Sequence, residues 1–126
     1  MPSKPAKSGL KISWVCDARS SYALDGMVYT GKQHGEETQR NLGAKVVHQL
    51  CSQLRNTGRN ITMHNFFTSA PLAEELLSKG LILVGRLCQN NHDIPVLIKP
   101  NKERELHSAE FGFNGNVMRV SYVLKK

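Results

Sequence analysis

The sequence predicts an α/β domain that combines a mixed sheet with two helices. Two observations favour this class. In the first thirty residues apolar side chains alternate with a period of two, which is typical of antiparallel strands. Further along, two amphipathic helical stripes alternate with short apolar strands, as in a sheet covered by helices. The chain has 126 residues, of which 40% are hydrophobic, and this is enough for a packed core in one domain or a piece of one.

The first strand is predicted over Leu10–Cys16, where alternate residues are apolar. It ends at Asp17. Two further apolar segments, Tyr22–Leu24 and Met27–Tyr29, flank the dipeptide Asp25-Gly26, which indicates a hairpin or a bulge. We therefore expect three antiparallel strands. Residues 1–9 are rich in Pro, Ser, Lys and Gly and are predicted to be an extended segment before a domain at 10–126.

The middle of the chain alternates helix and strand. A polar loop is predicted at residues 31–41, then a helix over Leu42–Leu54 with one apolar stripe. Asn56-Thr57-Gly58 ends that helix, and a short strand follows at Asn60–Met63.

The second helix carries clear start and stop signals. Ser69 is a good N-cap, Pro71 is tolerated in the first turn, and Gly80 is suited to the C′ position that follows the last turn. A continuous apolar strand is predicted directly afterwards at Leu81–Val84.

The C-terminal part is predicted to be irregular over residues 86–106, with an extended segment at Ile94–Ile98. His107–Phe113 and Asn116–Leu124 then flank Asn114-Gly115, a strong hairpin signal. Three antiparallel strands, an alternating α/β half and a final hairpin follow the order of a partial ribonuclease H-like core. The same order fits other mixed folds.

The charge favours a polyanionic partner. Lys and Arg number 17 against 10 Asp and Glu, a formal charge of +7, which suits DNA or RNA through release of counterions from phosphates. In the C-terminal part we predict nucleic-acid contacts at Lys99, Lys102 and Arg104. The alternative is a basic face that is only solvated. Net charge affects association and does not determine the fold.

Other classes are disfavoured. The three cysteines are far apart, which predicts reduced, mostly buried thiols in an intracellular protein rather than a zinc or redox motif. No apolar run approaches 18 residues, so we expect no membrane span. The sequence has no GK[ST] phosphate loop, GxSxG or HExxH motif, and we expect no small-molecule substrate.

Three features at strand ends are candidates for chemistry. Asp17 either caps the turn after the first strand or ligates a metal at the sheet edge, and the cap is favoured. His64 follows the central strand, and its simplest interpretation is a polar residue hydrogen-bonded to a neighbour. Phe66-Phe67 suits either a platform for stacking bases or the core, with the core favoured.

The chain resembles the transposase domain of the piggyBac family over nearly its whole length. The most specific block is DNFFTS followed by a leucine-rich helix, present here as MHNFFTSAPLAEELL, at its family spacing from an upstream CD. The other matching segments are MPSKPAKSGLKI, WVCDARSSYAL, VYTGK, SKGLILVG, NNHDIP and FGFNGNVMRVSYV.

The resemblance implies a ribonuclease H-like catalytic domain in which three aspartates bind Mg²⁺ and DNA is nicked and joined at TTAA targets. Asp17 matches the first aspartate, and as such would be a metal ligand. His64 stands where the family has the second. The third is expected beyond Lys126.

We therefore expect a remnant or domesticated fragment of a transposase catalytic domain, without strand-transfer activity and so not an enzyme. No cofactor is expected, although active family members use Mg²⁺. A non-catalytic nucleic-acid-binding module is the alternative. The resemblance further suggests DNA and a second copy of the chain as partners, and a nuclear location.

Overall fold

The computed structural model describes residues 9–29, 42–88, 90–91, 94–99, 101 and 103–124. These residues form six strands and two α-helices, so the mixed α/β class is confirmed. Their strands pair into three two-stranded sheets. The ribonuclease H-like arrangement of a single mixed sheet stays a prediction. The chain divides into two units, residues 1–53 and 54–126. The predicted segments at 1–8 and 31–41 lie outside the described residues.

In the first unit, two strands replace the three that were predicted. β1 (Lys11–Cys16) pairs antiparallel with β2 (Ala23–Tyr29), a single strand that runs through the dipeptide Asp25-Gly26. Val15 lies opposite Asp25 and Cys16 opposite Ala23, so one residue of β2 is extra and forms a bulge. The bulge alternative is confirmed, and the hairpin alternative is wrong.

Gly26 has a packing role within this pair of strands. It lies opposite Trp14, and a Cβ built on Gly26 would come within 2.5 Å of the indole ring. The absence of a side chain therefore lets the Trp14 ring lie across β2. The local sequence does not reveal the contact between Gly26 and Trp14, because a glycine after an aspartate is typical of a turn.

The predicted first helix is shorter than expected. α1 spans Leu42–Leu50, and one 3₁₀ turn at Ser52–Leu54 follows it. Its buried stripe is Val46, Val47, Leu50 and Cys51. Burial raises the pKa of the Cys51 thiol, because the thiolate loses hydration there.

The second unit begins with a β–α–β element. β3 (Asn60–Met63) runs parallel to β4 (Ile82–Gly85), and α2 (Ala70–Ser78) connects them. The Ser69 hydroxyl accepts a hydrogen bond from the Leu72 amide at 3.3 Å, so the predicted N-cap is confirmed. The fully buried side chains of this unit are Leu72, Leu76 and Leu81.

The predicted end of α2 at Gly80 is also confirmed. Gly80 has a φ of +68°, and its amide donates to the Leu77 carbonyl at 2.9 Å. A Cβ at this position would lie 2.8 Å from the Asn56 Cα. Gly58 has nearly the same φ, +67°, but open space around it. Gly80 therefore meets both a backbone and a packing requirement.

The chain ends in the predicted hairpin. β5 (Ala109–Asn114) and β6 (Val117–Tyr122) are antiparallel, and Gly115 turns between them with a φ of +56°. The extended segment predicted before it is wrong: Val96–Ile98 forms a 3₁₀ turn. Ile98 is buried there against Gly112 of β5, where a Cβ would come within 2.6 Å of the Ile98 Cδ1. Burial of Ile98 against the hairpin accompanies this folded turn.

Candidate nucleic-acid and metal site

Asp17 follows β1 and organises the turn to β2. Its Oδ2 atom accepts hydrogen bonds from the Ser20 amide at 2.8 Å and from the Ser20 hydroxyl at 2.5 Å. Its backbone amide donates to the Tyr22 carbonyl at 2.8 Å, and its carbonyl accepts from the Ser21 amide at 2.9 Å. The favoured capping interpretation is confirmed. The metal-ligand role of Asp17 stays a prediction.

His64 directly follows β3, as predicted, and is exposed. Its carbonyl accepts hydrogen bonds from the Phe67 amide and the Thr68 hydroxyl, both at 3.0 Å. Its imidazole, in contrast, makes no hydrogen bond to any residue that the structure describes. The backbone of this position is therefore fixed by the following turn, while the ring is open to solvent.

Thr68 fixes that turn against the end of β4. Its side chain is buried, and the space for it is provided by Gly85. A Cβ at Gly85 would collide with the Thr68 hydroxyl and would lie 2.8 Å from its methyl carbon. Any side chain at Gly85 would therefore push against the turn that holds His64.

The register of the parallel strands identifies a second residue at this edge. Met63 lies opposite Gly85, so the residues that follow them, His64 and Arg86, leave the sheet at the same edge. Both are exposed. Ligands of open α/β sheets commonly bind at the carboxyl ends of parallel strands. This strand-end edge, defined by His64 and Arg86, carries an imidazole at the position where the family resemblance expects a carboxylate, and a guanidinium at the end of the paired strand.

Two further side chains connect the segments that follow β3 and β4. The Asn65 amide nitrogen donates to the Cys88 sulfur at 3.2 Å. Sequence patterns do not reveal this contact, because 23 residues separate the two positions. Both residues lie two or three positions beyond the ends of paired strands, and this proximity depends on a register that the sequence does not contain.

The two phenylalanines after His64 differ in burial. Phe67 is half-buried, whereas the Phe66 side chain is 55% exposed. Their rings meet edge to face, with centroids 5.0 Å apart. The favoured core interpretation is therefore wrong for Phe66.

The predicted basic residues have different environments. Lys99 is half-buried at the end of the 3₁₀ turn, and Lys102 lies outside the described residues. The Arg104 side chain is only 8% exposed and is used within the hairpin. It donates to the Ser121 hydroxyl at 2.8 Å and to the Ser121 carbonyl at 3.0 Å, and its Nε lies 3.4 Å from Glu110 Oε1. Because its guanidinium is engaged internally, Arg104 is poorly placed for the phosphate contact that we predicted.

The donor atoms at these positions fit Mg²⁺ poorly. Mg²⁺ prefers oxygen ligands in an octahedral shell, whereas the strand-end edge offers an imidazole and a guanidinium. Within the described ranges, no three His, Cys, Asp or Glu side chains are grouped as metal ligands. Asp17 belongs to the first unit of the chain and His64 to the second.

The cysteines only partly follow expectation. All three are free, and Cys51 is buried as predicted. Cys16 and Cys88 are exposed, so the expectation of mostly buried thiols is wrong for these two. None of the helices in the described part of the chain is long and apolar enough to cross a membrane.

Among solved structures, the chain is similar to part of a transposase. The chain matches a piggyBac transposase in a cryo-EM structure of its synaptic complex with hairpin DNA, with a TM-score of 0.85 and 37% sequence identity. The match covers 97% of this chain and 26% of that one, so the chain spans about a quarter of the transposase. No curated protein matches the chain.

Comparison of the sequence with protein-family models also identifies a transposase. A family model described as "Transposase IS4" matches residues 1–126. That model represents piggyBac-type transposases. The fold is that of a mixed α/β transposase domain, and the chain belongs to the piggyBac-type transposase family.

Proposed function

We propose that this chain is a remnant or domesticated fragment of a piggyBac-type transposase catalytic domain that does not carry out DNA strand transfer by itself. The observation that supports this is the identity of His64. It directly follows β3, at the position where the family resemblance expects the second metal-binding aspartate. The turn around His64 is well formed, so the difference from the family pattern at this position is the chemistry of one side chain.

The physical argument concerns charge at the strand-end edge. Two-metal catalysis needs carboxylates that neutralise and bridge divalent ions. A neutral imidazole presents one nitrogen and cannot bridge in that way. Arg86 leaves the sheet at the same edge, and its positive charge repels a cation there. The edge therefore favours an anion over Mg²⁺.

Strand transfer is tested with DNA that carries transposon terminal repeats, with Mg²⁺ or Mn²⁺ present. We expect no nicked or joined product from the parent chain. His64→Asp is the variant that restores a carboxylate, and Asp17→Asn is the control that removes one. Product formed by the parent and lost in Asp17→Asn would refute the proposal.

A second candidate function is nucleic-acid binding without catalysis. The exposed Phe66 ring lies two residues beyond His64, close in sequence to an edge that also carries Arg86. Aromatic rings combined with positively charged side chains bind single-stranded nucleic acid, where stacking contributes about 1–3 kcal/mol per base. The formal charge of +7 would add a nonspecific attraction to phosphates. The structural neighbour's complex with hairpin DNA supports DNA as the partner.

Binding is measured by fluorescence anisotropy with labelled single-stranded and duplex DNA over a range of salt concentrations. Phe66→Leu should weaken binding to single strands about tenfold while leaving the salt dependence unchanged. Arg86→Gln should reduce the slope of log K against log salt by about 1. Arg55→Gln removes the same charge from another exposed position and serves as the matched control. Equal effects of Arg86→Gln and Arg55→Gln would contradict a specific role for this edge.

The family also suggests a nuclear location, which we propose for this chain. Imaging of a fluorescent fusion would test it. A fusion that stays in the cytoplasm would contradict the proposal.

A further inference from the structure

The turn of the C-terminal hairpin contains the only Asn-Gly dipeptide of the sequence, Asn114-Gly115. The register places Asn114 opposite Val117, so Asn114 is the last residue of β5 and the turn itself consists of Gly115 and Asn116. Gly115 has a φ of +56°, as expected for the first central residue of a type II′ turn. The asparagine therefore directly precedes a glycine that lies outside the ladder.

This order of residues matters because an asparagine side chain can react with the peptide nitrogen that follows it. The nitrogen attacks the side-chain carbonyl carbon, Cγ, and an N–Cγ bond forms. The Cγ–Nδ2 bond breaks, and ammonia leaves with the proton that the peptide nitrogen loses. Water then opens the five-membered succinimide at either carbonyl, which leaves aspartate or isoaspartate. Since the reacting groups belong to neighbouring residues, the reaction needs no partner except water.

The peptide nitrogen of Gly115 is the nucleophile in this reaction. In a two-residue hairpin the last ladder hydrogen bonds belong to the flanking pair, Asn114 and Val117. The Gly115 amide donates to none of the residues that the structure describes. A Cβ built on Gly115 would have no described atom within 4 Å. The nitrogen is therefore accessible, and ring closure at this position has open space around it.

The side-chain amide of Asn114 is the electrophile. It is exposed and makes no hydrogen bond within the part of the chain that the structure describes. Asn65 is the contrast, because its amide nitrogen donates to the Cys88 sulfur at 3.2 Å and the bulky Phe66 follows it. The pair of Asn114 and Val117 is also the last of the ladder, where local opening costs least. Opening of this one pair gives Asn114 the backbone freedom that ring closure requires.

The product would change the surroundings of the turn. A cavity of about 400 Å³ lies between the turn and α2, and it is lined by Glu74, Leu77, Ser78, Asn114, Gly115 and Asn116. Conversion of Asn114 adds a second carboxylate to a cavity that already has that of Glu74, and it lowers the formal charge of +7 by one. Isoaspartate also adds a methylene group to the main chain of a two-residue turn. Like charges repel, and the longer main chain no longer matches the closing pair, so the hairpin should open more readily.

We propose that Asn114 is a site of spontaneous deamidation, which converts the hairpin turn with time into a mixture of the aspartate and isoaspartate forms. The reaction is an intramolecular imide formation followed by hydrolysis. The inference is independent of the proposed function, because neither His64 nor Arg86 takes part in it.

The test is peptide mass spectrometry of the 126-residue chain after incubation in mildly alkaline buffer. Fragment ions should locate a mass increase of about 1 Da at Asn114, and in heavy-oxygen water the product should gain one heavy oxygen atom. Asn116 is the internal comparison, since it is exposed in the same turn but precedes Val117, whose β-branched side chain hinders attack. We expect Asn114 to react at least about tenfold faster than Asn116. Methylation of the product by a protein isoaspartate methyltransferase would identify the isoaspartate form.

Two variants assign the reaction to one residue. Asn114→Gln keeps a side-chain amide but requires a six-membered ring, so the mass increase and the methylation should both be lost. Asn116→Gln changes the neighbouring exposed amide and should leave the rate at Asn114 unchanged. The incubated parent chain should show faster hydrogen exchange in β5 and β6 than fresh chain, and incubated Asn114→Gln should not.

Two results would overturn the proposal. If Asn114 reacts no faster than Asn116, the folded turn protects the dipeptide and the accessibility argument is wrong. If Asn114→Gln accepts methyl groups as readily as the parent chain, the reacting residue lies elsewhere in the sequence.

Discussion

Gly85→Ala is expected to destabilise the second unit through a single contact. Gly85 ends β4, and the Thr68 side chain occupies the space where its Cβ would be. A methyl group there would collide with the Thr68 hydroxyl, lie 2.8 Å from the Thr68 methyl and 3.1 Å from its Cβ. Thr68 is buried and its hydroxyl donates to the His64 carbonyl at 3.0 Å, so it cannot move without loosening that turn.

The magnitude follows from two terms. Overpacking by one methyl group in a filled site costs about 1–3 kcal/mol. Displacement of Thr68 weakens one hydrogen bond, which contributes about 0.5–1.5 kcal/mol. Together the two terms span about 1.5–4.5 kcal/mol, and we expect the free energy of unfolding to fall by about 2–3 kcal/mol, in the lower half of that range. For a chain of this size the corresponding drop in Tm is roughly 6–12 °C.

A double-mutant cycle in urea separates this contact from a general effect of alanine in β4. Thr68→Ala removes the hydroxyl and methyl that the new Cβ would strike, and leaves only a Cβ at 3.1 Å. In that background Gly85→Ala should cost less than about 1 kcal/mol, giving a coupling energy of about 1–2 kcal/mol. Additive costs, within about 0.5 kcal/mol, would refute the reasoning.

Three further predictions rest on single residues. Gly80→Ala should lower the free energy of unfolding, measured in urea, by about 1–3 kcal/mol more than Gly58→Ala does. Both glycines have a φ near +67°, but only at Gly80 would a Cβ meet another segment of backbone. Equal losses of stability in the two variants would contradict the packing argument. Arg104→Met should lower the free energy of unfolding by about 2 kcal/mol and speed hydrogen exchange in the hairpin, since its buried hydrogen bonds are lost; unchanged exchange would contradict it. Burial raises the pKa of the Cys51 thiol from its ordinary value of 9.0. The stability that the buried neutral thiol contributes is therefore complete below pH 9 and is lost as the pH rises through the higher pKa of the folded state. Thiol labelling should accordingly be slower at Cys51 than at Cys88, and equal labelling rates would contradict the burial of Cys51.

The parts of the fold that the sequence predicted are those with local causes. The N-cap at Ser69 and the turn at Gly80 depend on neighbours within a few residues, so the bounds of α2 and β3 were close to correct. The hairpin turn at Gly115 is local in the same sense.

The errors came from distant contacts. The dipeptide Asp25-Gly26 resembled a turn, but Gly26 is opposite Trp14, twelve residues earlier, and the chain stays extended. Arg104 resembled a surface cation, but its partner Ser121 lies 17 residues away. Short-range patterns report on neighbours in sequence, so neither tertiary contact could be foreseen from them.

At the candidate site, too, local features were predicted and features that depend on distant contacts were not. His64 was found by comparison with a family motif, and its place at the end of β3 was predicted correctly. Arg86 was not found, because its position beside His64 depends on the parallel register of β3 and β4.

The scaffold that holds position 64 is separable from the side chain it carries. The Thr68 hydroxyl contacts the His64 carbonyl, and Gly85 makes room for Thr68; neither contact involves the imidazole. His64→Asp should therefore leave stability within about 0.5 kcal/mol, as for other exposed substitutions. A failure of that variant to bind Mn²⁺ in calorimetry would then reflect the remaining ligands and not a distorted turn. Conversely, Gly85→Ala should disturb the turn with His64 itself unchanged, so the two substitutions distinguish lost chemistry from lost positioning.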